Sequence, residues 1–333
     1  MHKISTPLLG LFCLILLLFP ACMRKALVIN EFSDDDCPIS DSSGYYDSLL
    51  VASVQKLNLD TTACSTRLPQ RFSNRAIHIA ENLGVKSLLC ELQRLEENKG
   101  SDIDILKIKS ELQGRINTGV ADVASCLSEM ECQIVRTREL QKHLEDWISA
   151  RLNRANAYSI LAGSITTIAS SLVAVNAIKI TTENDASNIV AQTTVIVGAI
   201  IGTYYGFRAM TIHRKVLYNH PRNYIAAIYE KKNDNGVFSP FLWKFMNKPF
   251  NKAGKQINGI EDVLHKWHGL GIPTDAAEDN YKEKVGLFTS LGGEYEVDDL
   301  DNRIEMFDIL REEISLINYD LKRLQQEILI GKK

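Results

Sequence analysis

Proline is scarce in this chain: 333 residues carry 8 Pro, about half of ordinary usage, and the 19 Gly are also few. Between Pro69 and Pro221 there is no proline at all. So long a stretch without a breaker predicts long helices, because an interior proline removes a hydrogen bond and clashes with the preceding turn. With aromatics at only 8%, it also argues against a β-sandwich, which needs a turn every ~8–12 residues. An excess of one charge is missing too. A net charge of −3 offers little to a phosphate backbone, so no nucleic-acid partner is expected. At 45% hydrophobic and 24% charged, the chain is too apolar to stay disordered.

Reactive motifs are equally absent. There is no G-x-S-x-G, no H-E-x-x-H and no P-loop, since residues 114–119 lack the Lys-Ser/Thr pair that phosphate binding needs. Gly269 and Gly271 run into Pro273 instead of a third glycine, which excludes a dinucleotide loop. His265 and His268, with Glu261 one turn earlier, share a helical face, but two histidines at that spacing are ordinary on a surface helix. We therefore expect no enzyme, no cofactor and no metal.

What is present begins at the N-terminus. His2 and Lys3 precede an uncharged run from Leu8 to Phe19, too short for a comfortable membrane span and built like a secretory signal. The run ends Leu18-Phe19-Pro20-Ala21-Cys22. A small residue followed at once by cysteine resembles the lipobox of bacterial lipoproteins. That resemblance implies removal of residues 1–21, diacylglyceryl and acyl (palmitate-type) modification of Cys22, and a periplasm-facing anchor in the cell envelope. Met23 stands where an inner-membrane retention Asp would be, so the outer membrane is favoured, with the inner membrane as the alternative. An uncleaved N-terminal anchor and a plain secretory signal cut elsewhere are the other readings of the same run.

Of the seven cysteines, Cys13 leaves with the signal and Cys22 takes lipid, so Cys37, Cys64, Cys90, Cys126 and Cys132 remain. An odd number leaves at least one thiol free or paired with another chain. Residues 22–73 read as a tether with a short helix. Residues 74–154 read as a long helical hairpin, with one helix over 74–97, a turn at 98–101 and a second helix from Asp102 capped by Ser101 or Asp102. An antiparallel return about that turn brings Cys64 level with Cys132, which predicts a Cys64–Cys132 disulfide. The second helix carries Ile105, Leu112, Ile116, Val120, Val123, Leu127, Met130 and Ile134 as a seam. The seam resumes at Leu140 after a phase shift near Thr137.

Residues 155–207 hold two uncharged runs, 155–178 and 186–207, each long enough as a helix to cross a bilayer. Gly198, Gly202 and Gly206 recur every fourth residue, and Ala155, Ser159, Gly163, Thr167 and Ser171 do likewise. Such small-residue rows let helix backbones approach closely. The pair resembles the glycine-zipper two-helix hairpins of some bacterial outer-membrane lipoproteins, and the resemblance implies membrane packing through Gly163, Gly198, Gly202 and Gly206. The basic flanks, Arg151, Arg154, Arg208, Arg214 and Lys215, oppose an inward crossing after a cleaved signal. Three placements stay open: a buried pair within the bundle, entry into a membrane from the periplasmic side, or an ordinary inner-membrane hairpin.

Residues 208–296 contain four prolines and predict short helices and loops. Within them, residues 238–252 interleave aromatics with lysines, suiting either a lipid headgroup interface or docking on the bundle. Residues 297–330 predict a helix with a seam of Leu300, Ile304, Phe307, Leu310, Ile314, Ile317, Leu321, Leu324 and Ile328, which packs in its own bundle or on a partner. The expected whole is an all-α elongated helical bundle or coiled coil with a central apolar hairpin. The expected role is an envelope lipoprotein serving as a structural or interaction component of a membrane-associated assembly. Its partners would be membrane lipid and other envelope proteins, as a homo- or hetero-oligomer. The alternative is an α-helical pore-forming protein that inserts residues 155–207; the plan, though no motif, is similar to pore-forming toxins and secretion-system translocators.

Overall fold

The computed structural model describes residues 37, 67–179, 186–252, 255–274 and 281–330. Among these the chain is all-α apart from two small antiparallel strand pairs. Ten helices follow in order: α1 Leu68–Arg71, α2 Asn74–Asn82, α3 Lys86–Glu97, α4 Asp102–Lys179, α5 Ala186–Met210, α6 Tyr224–Glu230, α7 Pro240–Asn247, α8 Gly259–Gly269, α9 Tyr281–Thr289 and α10 Val297–Ile330. Strand β1, Val216–Asn219, pairs with β4, Gly292–Tyr295; β2, Phe250–Lys252, pairs with β3, Lys255–Ile257.

The expected single helix over 74–97 is two helices. Gly84 adopts φ +74, a left-handed conformation that glycine accepts without strain, and the chain turns there between α2 and α3. Helix α3 returns along the start of α4, with Lys109 Nζ 3.4 Å from Glu96. Helix α2 turns away onto α10, where Ser73 N and Oγ both donate to the Glu327 carboxylate at 2.7 Å. The return that would have set Cys64 beside Cys132 therefore stops at the α2–α3 corner.

Helix α4 spans 78 residues, about 117 Å at 1.5 Å per residue. Ser101 Oγ accepts from Ile103 N at its start, as the capping signal predicts. The seam of its first half runs through Leu112, Ile116, Gly119, Val123, Cys126, Met130, Gln133, Thr137, Leu140 and Leu144 in steps of four and three, with Glu129 and the expected Ile134 buried beside it. No phase shift occurs at Thr137. The seam continues through two polar residues: Gln133 Nε2 donates to Arg222 O at 3.3 Å, and Thr137 Oγ1 lies 3.1 Å from the Tyr218 hydroxyl. Gly119 and Cys126 occupy the seam positions expected for Val120 and Leu127. A Cβ on Gly119 would sit 3.0 Å from Leu83 and 3.4 Å from Phe241, so α2, α7 and α10 converge on α4 there.

All nine predicted seam residues of α10 are buried, and they pack on α4 of the same chain. Beside the seam, Glu313, Asp320 and Glu327 recur every seventh residue, also buried. Each is held by a neighbour: Lys266 on Glu313 at 3.1 Å, Arg75 on Asp320 at 2.6 Å, Ser73 and Arg323 on Glu327. A buried carboxylate without such partners would be strongly destabilising.

Helices α6–α9 and the strand pairs cover the other side of the α4–α10 seam. The aromatic and lysine segment docks on this body: Phe241 and Leu242 are buried, Trp243 stacks on Phe238 at 5.6 Å, and Lys248 pairs with Glu81. His265 and His268 are exposed on α8 while Trp267 between them is buried, its indole N–H donating to Met306 O at 3.1 Å. No metal-binding cluster of His, Cys, Asp and Glu occurs among the described residues.

Candidate functional site

Beyond Ile148, α4 leaves the core. Among the described residues, none of the core side chains comes from 149–215, yet the helix continues unbroken to Lys179 and α5 returns along it. Residues 155–179 and 186–210 thus form a hairpin that stands on the body as an extension of its longest helix.

The interior of the hairpin is made of small residues. A Cβ placed on Gly198 would lie 2.2 Å from Thr166 Cγ2 and 3.3 Å from Ala162 O; on Gly202 it would lie 3.8 Å from Ser159 O. Ser159 Oγ donates across the pair to Gly202 O at 3.2 Å and lies 3.9 Å from the corresponding point on Gly206. Gly198, Gly202 and Gly206 therefore do face the partner helix. Gly163 does not: a Cβ there meets nothing within 4 Å. The facing row on α4 is Ala155, Ser159, Ala162 and Thr166. Steps of four rotate 40° past a full turn each time, so a row at 155, 159, 163, 167 drifts off the seam, while steps alternating four and three stay on it.

Large apolar side chains stand on the exterior of the hairpin. Ile160, Leu161, Ile165 and Ile168 on α4, with Ile196 and Phe207 on α5, are all more than half exposed. A groove of about 520 Å³ runs between the helices, walled by Tyr158, Leu161, Ile165, Val197, Ile201 and Tyr205. The hydroxyls on α4 are turned inward onto their own helix. Ser164 donates to Ile160 O, Thr166 and Thr167 to Gly163 O, Ser170 to Thr167 O and Ser171 to Ile168 O, all between 2.7 and 2.9 Å. Even so, among the described residues no helix is long and apolar enough to cross a membrane. Of the three open placements, the reading of the pair as membrane-crossing helices is corrected on this point: the runs are long enough, but Ser, Thr, Asn and Gln dilute both.

At the foot of the hairpin lies a collar of aromatics and arginines. Tyr158 meets Tyr205 at 5.0 Å, and Tyr205 meets Tyr204 at 5.2 Å. Below them the guanidiniums of Arg214 and Arg151 lie over the Trp147 ring at 3.8 and 4.6 Å. Burial, and then the neighbouring Arg151, lower the Arg214 pKa. Arg208 donates to the Tyr204 hydroxyl at 3.4 Å. Among the described residues, no ion pair involves Arg151, Arg154, Arg208 or Arg214; Lys215 is paired, with Glu296 at 3.4 Å.

Cysteine placement corrects the expected pairing. Cys132 is joined to Cys37, with Cα atoms 5.7 Å apart, and not to Cys64. Cys90 is disulfide-bonded as well, to a cysteine outside the described residues. Cys126 is free and buried in the α4 seam, where burial pushes its thiol up to about 12. Parity signals a spare thiol, but nothing in the sequence singles out Cys37, which sits in an acidic tether. Cys22 and Cys64 lie outside the described residues.

Two further polar regions belong to the body. In the first, Tyr295 OH donates to Leu287 O at 2.9 Å and His220 Nε2 lies 2.7 Å from the same hydroxyl. Burial, with help from Arg303, drives the His220 pKa down to about 2, so the ring is neutral. Arg303 is fully buried with no hydrogen-bond partner for its guanidinium nitrogens, held against the faces of Phe307 and Tyr218 at 5.1 and 5.7 Å. The second is a cleft of about 550 Å³ between α2, α7 and α10, floored by Phe245 and Met246. Its Arg75, Asp320, Glu313 and Lys248 are already committed to ion pairs with neighbouring helices. Burial raises the Glu313 pKa against the pull of Lys266, and burial with Lys248 lowers that of His78.

No protein-family model matches the chain, and no curated protein or solved structure is similar enough to be matched.

Proposed function

We propose that this chain is a lipid-anchored envelope protein whose helical body holds a rigid hairpin away from itself, as an interaction element of a membrane-associated assembly. The observation that carries this reading is the continuity of α4. One helix serves both as the spine of the core and as half of the hairpin, so the apolar surface is presented at a fixed angle instead of on a loose loop. The signal-like N-terminus and Cys22 supply the anchor. Two disulfide-bonded sites, Cys37–Cys132 and Cys90, fit an oxidising compartment such as the periplasm. The pore-forming alternative asks the hairpin to cross a bilayer, and the modest apolarity of α4 and α5 counts against it.

Intact-mass analysis and fractionation of the native protein test the reading. We expect a chain that starts at acylated Cys22 and sediments with envelope membranes, and a Cys22→Ala form released by carbonate. A native chain with an unmodified Cys22 thiol would remove the anchor.

A further inference from the structure

We propose that the hairpin docks from one side into a bilayer bearing anionic lipid, its apolar exterior entering the lipid and its arginine collar lying at the phosphates. The inference rests on the anchored reading above for which bilayer is meant and for the fourth observation below. Four observations carry it.

The first is the inverted packing. Small residues meet inside the hairpin while Ile160, Ile165, Ile168 and Phe207 stand outward, an arrangement that water penalises and lipid does not. The second is the inward turn of the hydroxyls. Five Ser and Thr side chains bond to their own helix backbone, which removes most of the cost of placing them in hydrocarbon. The third is the collar. Tyrosines, a tryptophan and arginines free of ion pairs occupy the level where a membrane-bound hairpin meets headgroups, and their charge complements lipid phosphate. A second copy packed parallel on the same face would instead crowd like-charged arginines together.

The fourth is reach. The Cys37–Cys132 disulfide fixes one end of the tether on α4. Cys22 lies 15 residues earlier in the chain, hence at most about 50 Å away. Along α4, Trp147 to Arg154 lie about 23–33 Å from Cys132 at 1.5 Å per residue. An acyl chain on Cys22 and the collar can therefore meet the same membrane surface. Because α4 and α5 are too polar to span, the contact is one-sided: the hairpin lies in the interfacial layer and does not cross.

Vesicle flotation of the acyl-free mature chain, carrying Cys22→Ala and produced without residues 1–21, tests this. We expect flotation with phosphatidylcholine–phosphatidylglycerol vesicles and weaker flotation with phosphatidylcholine alone. Arg151→Gln with Arg154→Gln should weaken binding to the anionic vesicles about thirty-fold, from ~1 kcal/mol per charge near the surface. Ile165→Asn with Ile168→Asn should reduce binding to both vesicles. All four positions are exposed, and an unchanged unfolding transition of the body will show that the variants fold. Absence of flotation with either vesicle would overturn the proposal. So would a lipid-free oligomer that the Ile165→Asn, Ile168→Asn form dissolves, which would assign the face to a second copy. The assay uses no acyl group, so it stands or falls independently of Cys22 modification.

Discussion

Helix α4 meets its two longest partners, α10 and α5, differently. Against α10 it uses Leu112, Ile116, Met130, Leu140 and Leu144, with charges such as Arg138 and Asp308 paired across the rim at 3.1 Å. Against α5 it uses Ser159, Ala162 and Thr166 facing glycines, and its isoleucines point out. Both seams alternate steps of four and three, so helical periodicity is common to them. What differs is which side of the helix the large apolar groups occupy. In the body, burial of those groups drives association, at roughly 25 cal/mol per Å². In the hairpin, close backbone approach holds the pair while the apolar area stays outside for another environment.

The comparison can be broken at several points. The Cys37–Cys132 bridge closes a loop of 95 residues onto the body, worth about 4.7 kcal/mol in the loop-entropy account. Cys37→Ser should lower the body's unfolding midpoint in urea accordingly, and hydrogen exchange of residues 155–210 should stay as it was. Phe307→Ala, deep in the α4–α10 seam, should cost about 3–5 kcal/mol by the same measurement. Ile160→Ala on the hairpin's outer face should cost almost nothing in water, where the same truncation in the seam, Ile314→Ala, should cost about 2–5 kcal/mol; equal costs at the two isoleucines would end the distinction.

Gly198→Ala should open the hairpin, since the new methyl would overlap Thr166; about 1–3 kcal/mol of local stability should be lost, read as faster exchange over 186–210. Gly163→Ala should do the reverse. Its methyl meets open space, so the better helix former adds up to about 1 kcal/mol, and slower exchange is the expected result.

The body should also be acid-sensitive through His220. Its folded pKa lies far below the ordinary 6.5, so below pH 6.5 the unfolded chain takes up a proton that the folded chain refuses. Stability should therefore fall as pH drops, with a limiting slope of about 1.4 kcal/mol per pH unit from this group. Between pH 6 and 5, above most carboxylate titrations, His220→Gln should show a shallower slope than the native chain in urea unfolding. Identical slopes would mean that the ring is not held neutral.

Much of this molecule is legible in the primary structure, and the parts that are not share a cause. The C-terminal seam from Leu300 to Ile328, the Ser101 cap and the glycine row at 198, 202 and 206 depend on local periodicity and local hydrogen bonds, which a sequence displays directly. Gln133 and Thr137 looked like a break in the α4 seam because their partners, Arg222 and Tyr218, are distant in sequence. The corner at Gly84 depends on α10, distant in sequence, which holds α2 through Arg75–Asp320 and Ser73–Glu327. The collar residues were visible only as flanking charges; stacking on Trp147 brought two of them together.

By itself, then, the sequence determined the helical class, the start of α4, the uncharged runs and their basic flanks, because each follows from breakers, periodicity and composition; that α4 runs on unbroken into the hairpin appears only in the structure. Tertiary structure alone decided the partner of Cys132, the corner at Gly84 and which of the small residues line the hairpin. Those depend on which surfaces meet. The row of four-residue steps on α5 keeps its contact and the one on α4 does not, and only the approach of α5 picked Ala162 over Gly163.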